Sequence, residues 1–254
     1  MKPLLVMPED LCRRDLPLLI VLPHAGGAAY QYAPLAAALK TYCGVHCLEL
    51  PGRGKRAREP FAENFAAAVT DINRQVGVFD GQPWMLLGHS LGAHLGMALL
   101  RHRRHGGQSL PSLFFASGAV APSAYRVRNV AALSSEAFWE EVRGYGGVPE
   151  MLIQDAEYRA YFETILRQDM RLLEHAPHYT LSPEQREMDA PIPVPVVAFR
   201  GHADPACHAM SSWQNETAFP LQQRTFAGGH FYLFDDWPAV AAAVRDACVA
   251  RMPG

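Results

Sequence analysis

The chain has 254 residues, a formal net charge of −2 at pH 7, 49% apolar residues and only 19% charged ones, which excludes a disordered chain and a large single-sign field. No apolar run reaches the ~18 residues that a membrane span requires, and mean hydropathy is −0.06. The start, Met1 to Asp15, is broken by Pro8 and then carries mixed charges, unlike a secretory leader, so a cytoplasmic address is expected.

Short apolar runs alternate with amphipathic stretches through the first half, the pattern of a parallel sheet covered by helices. Strands are expected at Leu18 to Leu22, Val45 to Leu50, Trp84 to Leu87 and Ser112 to Ala116, each nearly continuous in hydrophobicity, as strands buried on both faces are. Helices are expected between them at Tyr32 to Lys40, Phe61 to Val78 and Ala93 to Arg104, the last stopped by Gly106-Gly107. From about Pro122 to Met188 the pattern turns helical, clearest at Glu136 to Arg143 and Asp155 to Leu173, which reads as a cap inserted into the sheet. Ser182 to Pro195 reads as the seam back. The sheet pattern resumes at Val194 to Phe199, followed by a helix near His208 to Ala218, a strand at Gln222 to Phe226 and a final helix from Pro238 to Arg251. The expected architecture is one α/β-hydrolase domain over 1–254: a mostly parallel sheet, helices on both faces and a helical cap at about 122–188.

The sharpest motif is Gly88-His89-Ser90-Leu91-Gly92, a G-x-S-x-G set between an apolar strand and a helix, the frame of a nucleophile elbow. A serine of ordinary acidity needs a base held by an acid, in this fold in the chain order Ser, Asp or Glu, His. Among eleven histidines, His230 in Ala227-Gly228-Gly229-His230-Phe231 follows the last strand in a loosened loop. His175 and His178 fall in the cap, and His202 and His208 precede the final strand. Asp204, just past the penultimate strand, is the expected acid, with Asp189, Asp235 and Asp236 as fallbacks. The oxyanion of acyl transfer needs two donors. The Leu91 N–H is one, and the loop Pro23-His24-Ala25-Gly26-Gly27 offers the Ala25 N–H as the other.

No metal is expected, because His202, Cys207 and His208 match no ligand spacing. The five cysteines (Cys12, Cys43, Cys47, Cys207, Cys248) include no C-x-x-C pair and read as reduced thiols. With near-neutral charge and no long basic stripe, a nucleic-acid partner is not expected either.

Together the motifs resemble the type II thioesterases, stand-alone α/β-hydrolases associated with nonribosomal peptide and polyketide synthases. The resemblance runs nearly the whole chain. It rests on Pro23-His24-Ala25-Gly26-Gly27, Leu50-Pro51-Gly52-Arg53-Gly54 with Arg56, Gly88 to Ala93, Ser117-Gly118 with Ala121-Pro122, Gly144 to Pro149, Asp204-Pro205 and Gly228 to Phe231. It implies hydrolysis of misprimed or stalled acyl groups from the 4′-phosphopantetheine arm of acyl or peptidyl carrier proteins, with no cofactor of its own. By the same resemblance Ser90, Asp204 and His230 form the triad, and Ala25 and Leu91 the oxyanion hole. Two departures bear on substrate and partner preference: Ala119-Val120 stands where relatives commonly carry arginines, and Tyr30 and Tyr32 where they carry a Trp.

Arg53, Lys55, Arg56 and Arg58 lie in the loop after the second strand, at the sheet edge where ligands bind in such folds. They read either as a dock for an acidic carrier protein or the arm's phosphate, or as a solvated loop. Arg101, Arg103 and Arg104 end a helix and read as dipole-opposing cations. The cap would shape the acyl chamber and gate entry of the arm, and its aromatics Phe138, Trp139, Tyr145, Tyr158, Tyr161 and Phe162 could line that chamber, but helical spacing makes most of them packing residues. A general carboxylester hydrolase or lipase, or an acyltransferase, would use the same triad. Met1 close before the first strand and Gly254 just past the last helix suggest a free-standing protein, for which a monomer is the simpler expectation.

Overall fold

Six strands form where the apolar runs lie: β1 (Leu18–Leu22), β2 (Gly44–Cys47), β3 (Trp84–His89), β4 (Phe114–Ser117), β5 (Val196–Gly201) and β6 (Gln222–Phe226). The structure, a computed structural model, describes residues 16–148, 150–176, 191–205 and 208–249. All the strand pairs are parallel, in the order β2-β1-β3-β4-β5-β6. Side chains alternate between two cores, as the two-residue repeat of a strand demands. Leu18, Ile20 and Leu22 of β1, with Trp84 and Leu86 of β3, face α2 (Phe65–Gly77) and α3 (Leu91–His105). Leu19 and Val21, with Met85 and Leu87, face α1 (Ala33–Leu39) and the last helix (Trp237–Val249). Burial on both sides explains why these runs carry no polar alternation. The edge strand β6 is different, since its exposed Gln222, Gln223, Arg224 and Thr225 blunt the open edge against further pairing.

Between β4 and β5 the chain leaves the sheet for α4 (Ser135–Tyr145), α5 (Glu150–Gln154) and α6 (Ala156–His175). These helices have a core of their own, built from Val130, Phe138, Trp139, Val142, Ile153 and Leu166. Short polar side chains start them: the Ser134 hydroxyl accepts from the Ala137 N–H at 3.4 Å and the Asp155 carboxylate from the Tyr158 N–H at 2.8 Å. After β6 come α7 (Tyr232–Asp235) and α8 (Trp237–Val249).

Several boundaries differ from the sequence expectation. α2 begins at Phe65 instead of Phe61 because Asn64 caps it, its side chain accepting from the Ala67 N–H at 2.9 Å. The segment near His208 to Ala218 is a 3₁₀ helix at Met210–Glu216, and α5 and α7 are helices too short for periodicity to reveal. β2 ends at Cys47, short of Leu50. Arg103, expected to oppose the helix dipole, lies in the last turn of α3. It is fully buried beside Trp84, donating to Ser109 O at 2.7 Å and Asn73 Oδ1 at 2.9 Å and pairing with Asp80. Cys12, Cys207, His178, Asp189 and most of the expected seam lie outside the described residues. Cys43 and Cys47 are free thiols, and the Cys248 thiol donates to Met85 Sδ at 3.5 Å.

Candidate active site

Ser90 sits between the end of β3 and the first residue of α3 with φ 55° and ψ −117°; among the described residues only Asn129 is another non-glycine with positive φ. Such a conformation costs roughly 1–3 kcal/mol and persists only where its surroundings enforce it. Here the enforcement comes from both flanks. The Ser90 N–H donates to Ser117 O at 2.8 Å on β4, and the Ser117 hydroxyl holds the ring of His89 at 2.8 Å while meeting the Tyr232 hydroxyl. The flanking glycines are steric necessities. A Cβ on Gly88 would lie 2.2 Å from Gly92 O, and one on Gly92 would lie 2.1 Å from Leu22 O. The helix N-terminus therefore closes directly on the end of β1, and the hydroxyl of Ser90 stands at the carboxyl edge of the sheet.

The His230 and Asp204 loops are tied together by main chain. His202 N–H donates to Phe226 O at 2.8 Å and Ala203 N–H to Gly228 O at 2.9 Å, and a Cβ on Gly201 would fall 2.0 Å from Gly229 O. This brings His230 Nδ1 to 2.9 Å from Asp204 Oδ2, with both side chains buried. A carboxylate only accepts, so Nδ1 carries the hydrogen and Nε2 is left with its lone pair for a neighbouring hydroxyl. Of the fallbacks, Asp235 and Asp236 lie at the end of α7, and His202 and His208 are exposed. His175 is bonded to the Arg171 carbonyl on α6 at 2.7 Å.

In the loop after β1, Gly27 N–H closes a turn on His24 O at 2.9 Å, and Gly26 has φ +74°. The Gly26 N–H donates to Asp169 Oδ2 at 2.7 Å. The Ala25 N–H has no acceptor among the described residues. Leu91 opens α3, so its N–H has no intrahelical partner. Two backbone donors thus flank the elbow.

Asp169, on α6 and fully buried, also receives the guanidinium of Arg53 in a two-pronged pair, with Nη2 at 2.6 Å from Oδ1. Arg53 is therefore neither a docking cation nor part of a solvated loop. Arg53 is only 3% exposed and braces the roof against the loop. Arg56 is spent on Asp71, on Glu59 and on the Glu49 carbonyl at 2.8 Å. Arg58 remains exposed, as does Lys55.

Ser90, His230 and Ala25 line one cavity of about 280 Å³, roofed by residues of α4, α6 and the Gly146-Gly147 turn. That turn is packed against the histidine loop, since a Cβ on Gly147 would meet the Phe231 ring at 2.4 Å. Tyr145, Tyr158 and Phe162 border the cavity, whereas Phe138 and Trp139 are buried in the core of the inserted helices and Tyr161 is exposed. Besides Asp204 and His230, Arg53 acts on His24, and Glu174 and Arg128 act on Tyr125, both of which line the cavity. Burial holds His24 near a pKa of about 3, keeps His89 well below the ordinary histidine range and holds His94 at about 4. All three are neutral at pH 7.

Sequence reasoning missed Ser117, Tyr232 and Asp169, which act through other groups. Ser117 is half visible in the Ser117-Gly118 motif. Asp169, in an ordinary amphipathic helix, carries no local signal.

Residues 17–248 match the thioesterase domain family. Thioesterase PikA5 of Streptomyces venezuelae is 31% identical over 238 residues, 90% of this chain and 79% of that protein. Gramicidin S biosynthesis protein GrsT of Aneurinibacillus migulanus is 27% identical over 220 residues, 85% and 83% of the two chains. Among solved structures, ClbQ from the colibactin NRPS/PKS pathway superposes with a TM-score of 0.81 at 26% identity, covering 92% of this chain and 98% of that one. The type II thioesterase BorB from the borrelidin biosynthetic cluster gives 0.77 at 31% identity, covering 92% and 93%.

Proposed function

Because the chain belongs to the thioesterase domain family, we propose that it is a type II, editing thioester hydrolase that clears aberrant or stalled acyl groups from the 4′-phosphopantetheine arm of acyl or peptidyl carrier proteins. The observation that carries the mechanism is the buried His230–Asp204 pair opening onto the same cavity as Ser90 on its strained elbow. The substrate class rests on the relatives, which include a type II thioesterase from the borrelidin biosynthetic cluster and a gramicidin S biosynthesis protein.

In the reaction, His230 Nε2 takes the proton of the Ser90 hydroxyl as Oγ attacks the thioester carbonyl carbon. Asp204 steadies the imidazolium through Nδ1–H. The N–H groups of Leu91 and Ala25 receive the negative oxygen. The tetrahedral species collapses, the C–S bond breaks, and His230 returns the proton to the departing thiol. Water then attacks the acyl-serine, giving its proton to His230. The C–O bond to Ser90 breaks, the carboxylic acid leaves and Ser90 regains its hydrogen. The site needs no group beyond the arm that the substrate brings. No described helix is long and apolar enough to cross a membrane. On this reading the enzyme works beside a synthase in the cytoplasm, as a monomer that admits another protein's arm.

The test is mass-spectrometric deacylation of acyl-phosphopantetheinyl carrier proteins, beside free acyl thioesters and p-nitrophenyl esters, with wild type and Ser90→Ala. Rapid release from the carrier, lost in a folded Ser90→Ala, is the expected result. Rapid cleavage of the oxygen esters with the carrier left acylated would overturn the substrate class.

A further inference from the structure

His94 lies four residues after Ser90 on α3, so it falls on the same helical face about 6 Å further along the axis. It borders the cavity while being only 3% exposed, and neither of its ring nitrogens has a hydrogen-bond partner among the described residues; Nδ1 is completely enclosed. The buried positions around it on α3 are Leu, Gly, Ala and Met, and a leucine there would avoid a buried polar group left without a partner. Tyr125 stands edge-on to the imidazole with ring centroids 4.9 Å apart, also borders the cavity, and its hydroxyl is likewise unpartnered among the described residues. Val120, Val142, Leu166, Met170 and Leu173 add apolar lining to the same cavity, as Tyr145 adds a polar one, and Tyr145, Glu174 and Arg128 lie near enough to act on the Tyr125 hydroxyl.

We infer that His94 and Tyr125 form a polar subsite in the acyl chamber, one helical turn beyond the nucleophile, that selects acyl groups bearing a neutral oxygen, a hydroxyl or ketone, a few carbons from the thioester over plain alkyl chains. This rests on the thioesterase reading above and adds the chemical class of its acyl group. The chemistry is matched. Burial keeps His94 neutral, with one donor and one acceptor nitrogen, and pushes the Tyr125 hydroxyl up, so that it remains a donor. A neutral pair suits a neutral oxygen and leaves a carboxylate or an ammonium uncompensated. An alkyl chain in the same place would keep both polar groups dry and unpaired, which is how a site built to bond an oxygen rejects the analogue lacking it.

The experiment compares kcat/KM for hexanoyl, 3-hydroxyhexanoyl and 5-hydroxyhexanoyl groups on the same carrier-protein arm, with wild type, Ser90→Ala, His94→Leu and Tyr125→Phe. The reading is the ratio of hydroxylated to plain substrate within each protein, divided by the same ratio in wild type, which cancels intrinsic reactivity. We expect wild type to favour at least one hydroxylated chain by about tenfold, and both substitutions to collapse that preference. Tyr125→Phe removes one oxygen from the cavity wall and keeps the ring, so its result stands even where His94→Leu perturbs folding. Equal ratios in wild type and both variants, with hexanoyl still released in a Ser90-dependent way, overturn the subsite and leave the thioesterase standing. No Ser90-dependent release from any arm overturns both.

Discussion

Asp169 is where the inserted helices, the loop after β2 and the loop after β1 meet, so its removal separates stability from catalysis. In Asp169→Leu, Arg53 keeps its charge at 3% exposure with its counter-ion gone. Breaking a buried pair from one side costs roughly 3–5 kcal/mol, a large share of the ~5–15 kcal/mol that holds a domain together. The Gly26 N–H loses its acceptor as well, for a further ~1–3 kcal/mol. Urea unfolding is therefore expected to show a midpoint shift worth at least ~3 kcal/mol. The double variant Arg53→Met/Asp169→Leu removes both charges and should recover most of the ion-pair cost. It does not restore an acceptor for Gly26, whose neighbour Ala25 supplies an oxyanion N–H in the proposed mechanism. Its kcat should stay well below wild type, with KM for a small thioester moving less. A single variant within ~1 kcal/mol of wild type, or a double variant with full kcat, would refute the clamp.

The remaining expectations concern the triad, the loops, the buried histidines and the surface. Asp204→Asn should lower kcat by on the order of 10⁴-fold with the fold intact, because the imidazole loses the partner that fixes its tautomer; a stopped-flow or discontinuous assay showing less than tenfold would contradict the role. Gly201→Ala places a Cβ 2.0 Å from Gly229 O and so pushes the His230 loop off the Asp204 loop, which should cost ~100-fold in kcat without loss of far-UV dichroism. Buried His24 and His94 have folded pKa values of about 3 and about 4, against 6.5 for an unperturbed histidine. The unfolded chain therefore binds protons that the folded one refuses. Their stabilisation is complete above pH ~6.5 and falls as pH drops towards 4, by up to about 1.4 kcal/mol per unit for each. His94→Leu should flatten the slope of unfolding free energy against pH by that amount, and an unchanged slope would show that His94 is protonated in the fold. Arg58→Glu should raise KM for a carrier-bound acyl group but not for a small thioester; equal effects on both would place Arg58 outside any docking surface.

Legibility followed the range of the interaction. Gly88, Ser90 and Gly92 could be read because they share one five-residue turn: a Cβ on Gly88 would meet Gly92 O within it, although the demand for Gly92 comes from Leu22 O on β1. Asp204 and His230 are further apart in the chain, but each follows a strand end, so topology placed them once the strands were found. The central strands β1 and β3 could be located because burial on both faces keeps them almost wholly apolar, whereas the edge strands β2 and β6 carry His46 and Gln222 to Thr225. Helix ends were read less well, since a single side chain such as Asn64 sets them and periodicity does not register it.

Charge was the least legible property. Arg53, Arg56 and Arg103 look alike in sequence, as cations in a loop or at a helix end, yet one braces the inserted helices, one ties a loop to α2 and one is sealed beside Trp84. The partner decides, and the partner of Arg53 lies 116 residues away on α6. Composition cannot tell a solvated arginine from a buried one, because the cost of burial is met by a carboxylate that only the fold brings near. His94 is the converse case. It sits in a run of buried residues that any helix could use for packing, and only an imidazole with no hydrogen-bond partner among the described residues, bordering the cavity with Nδ1 enclosed, marks it out. A residue that costs the fold something and returns nothing to it is the kind that a substrate has to complete.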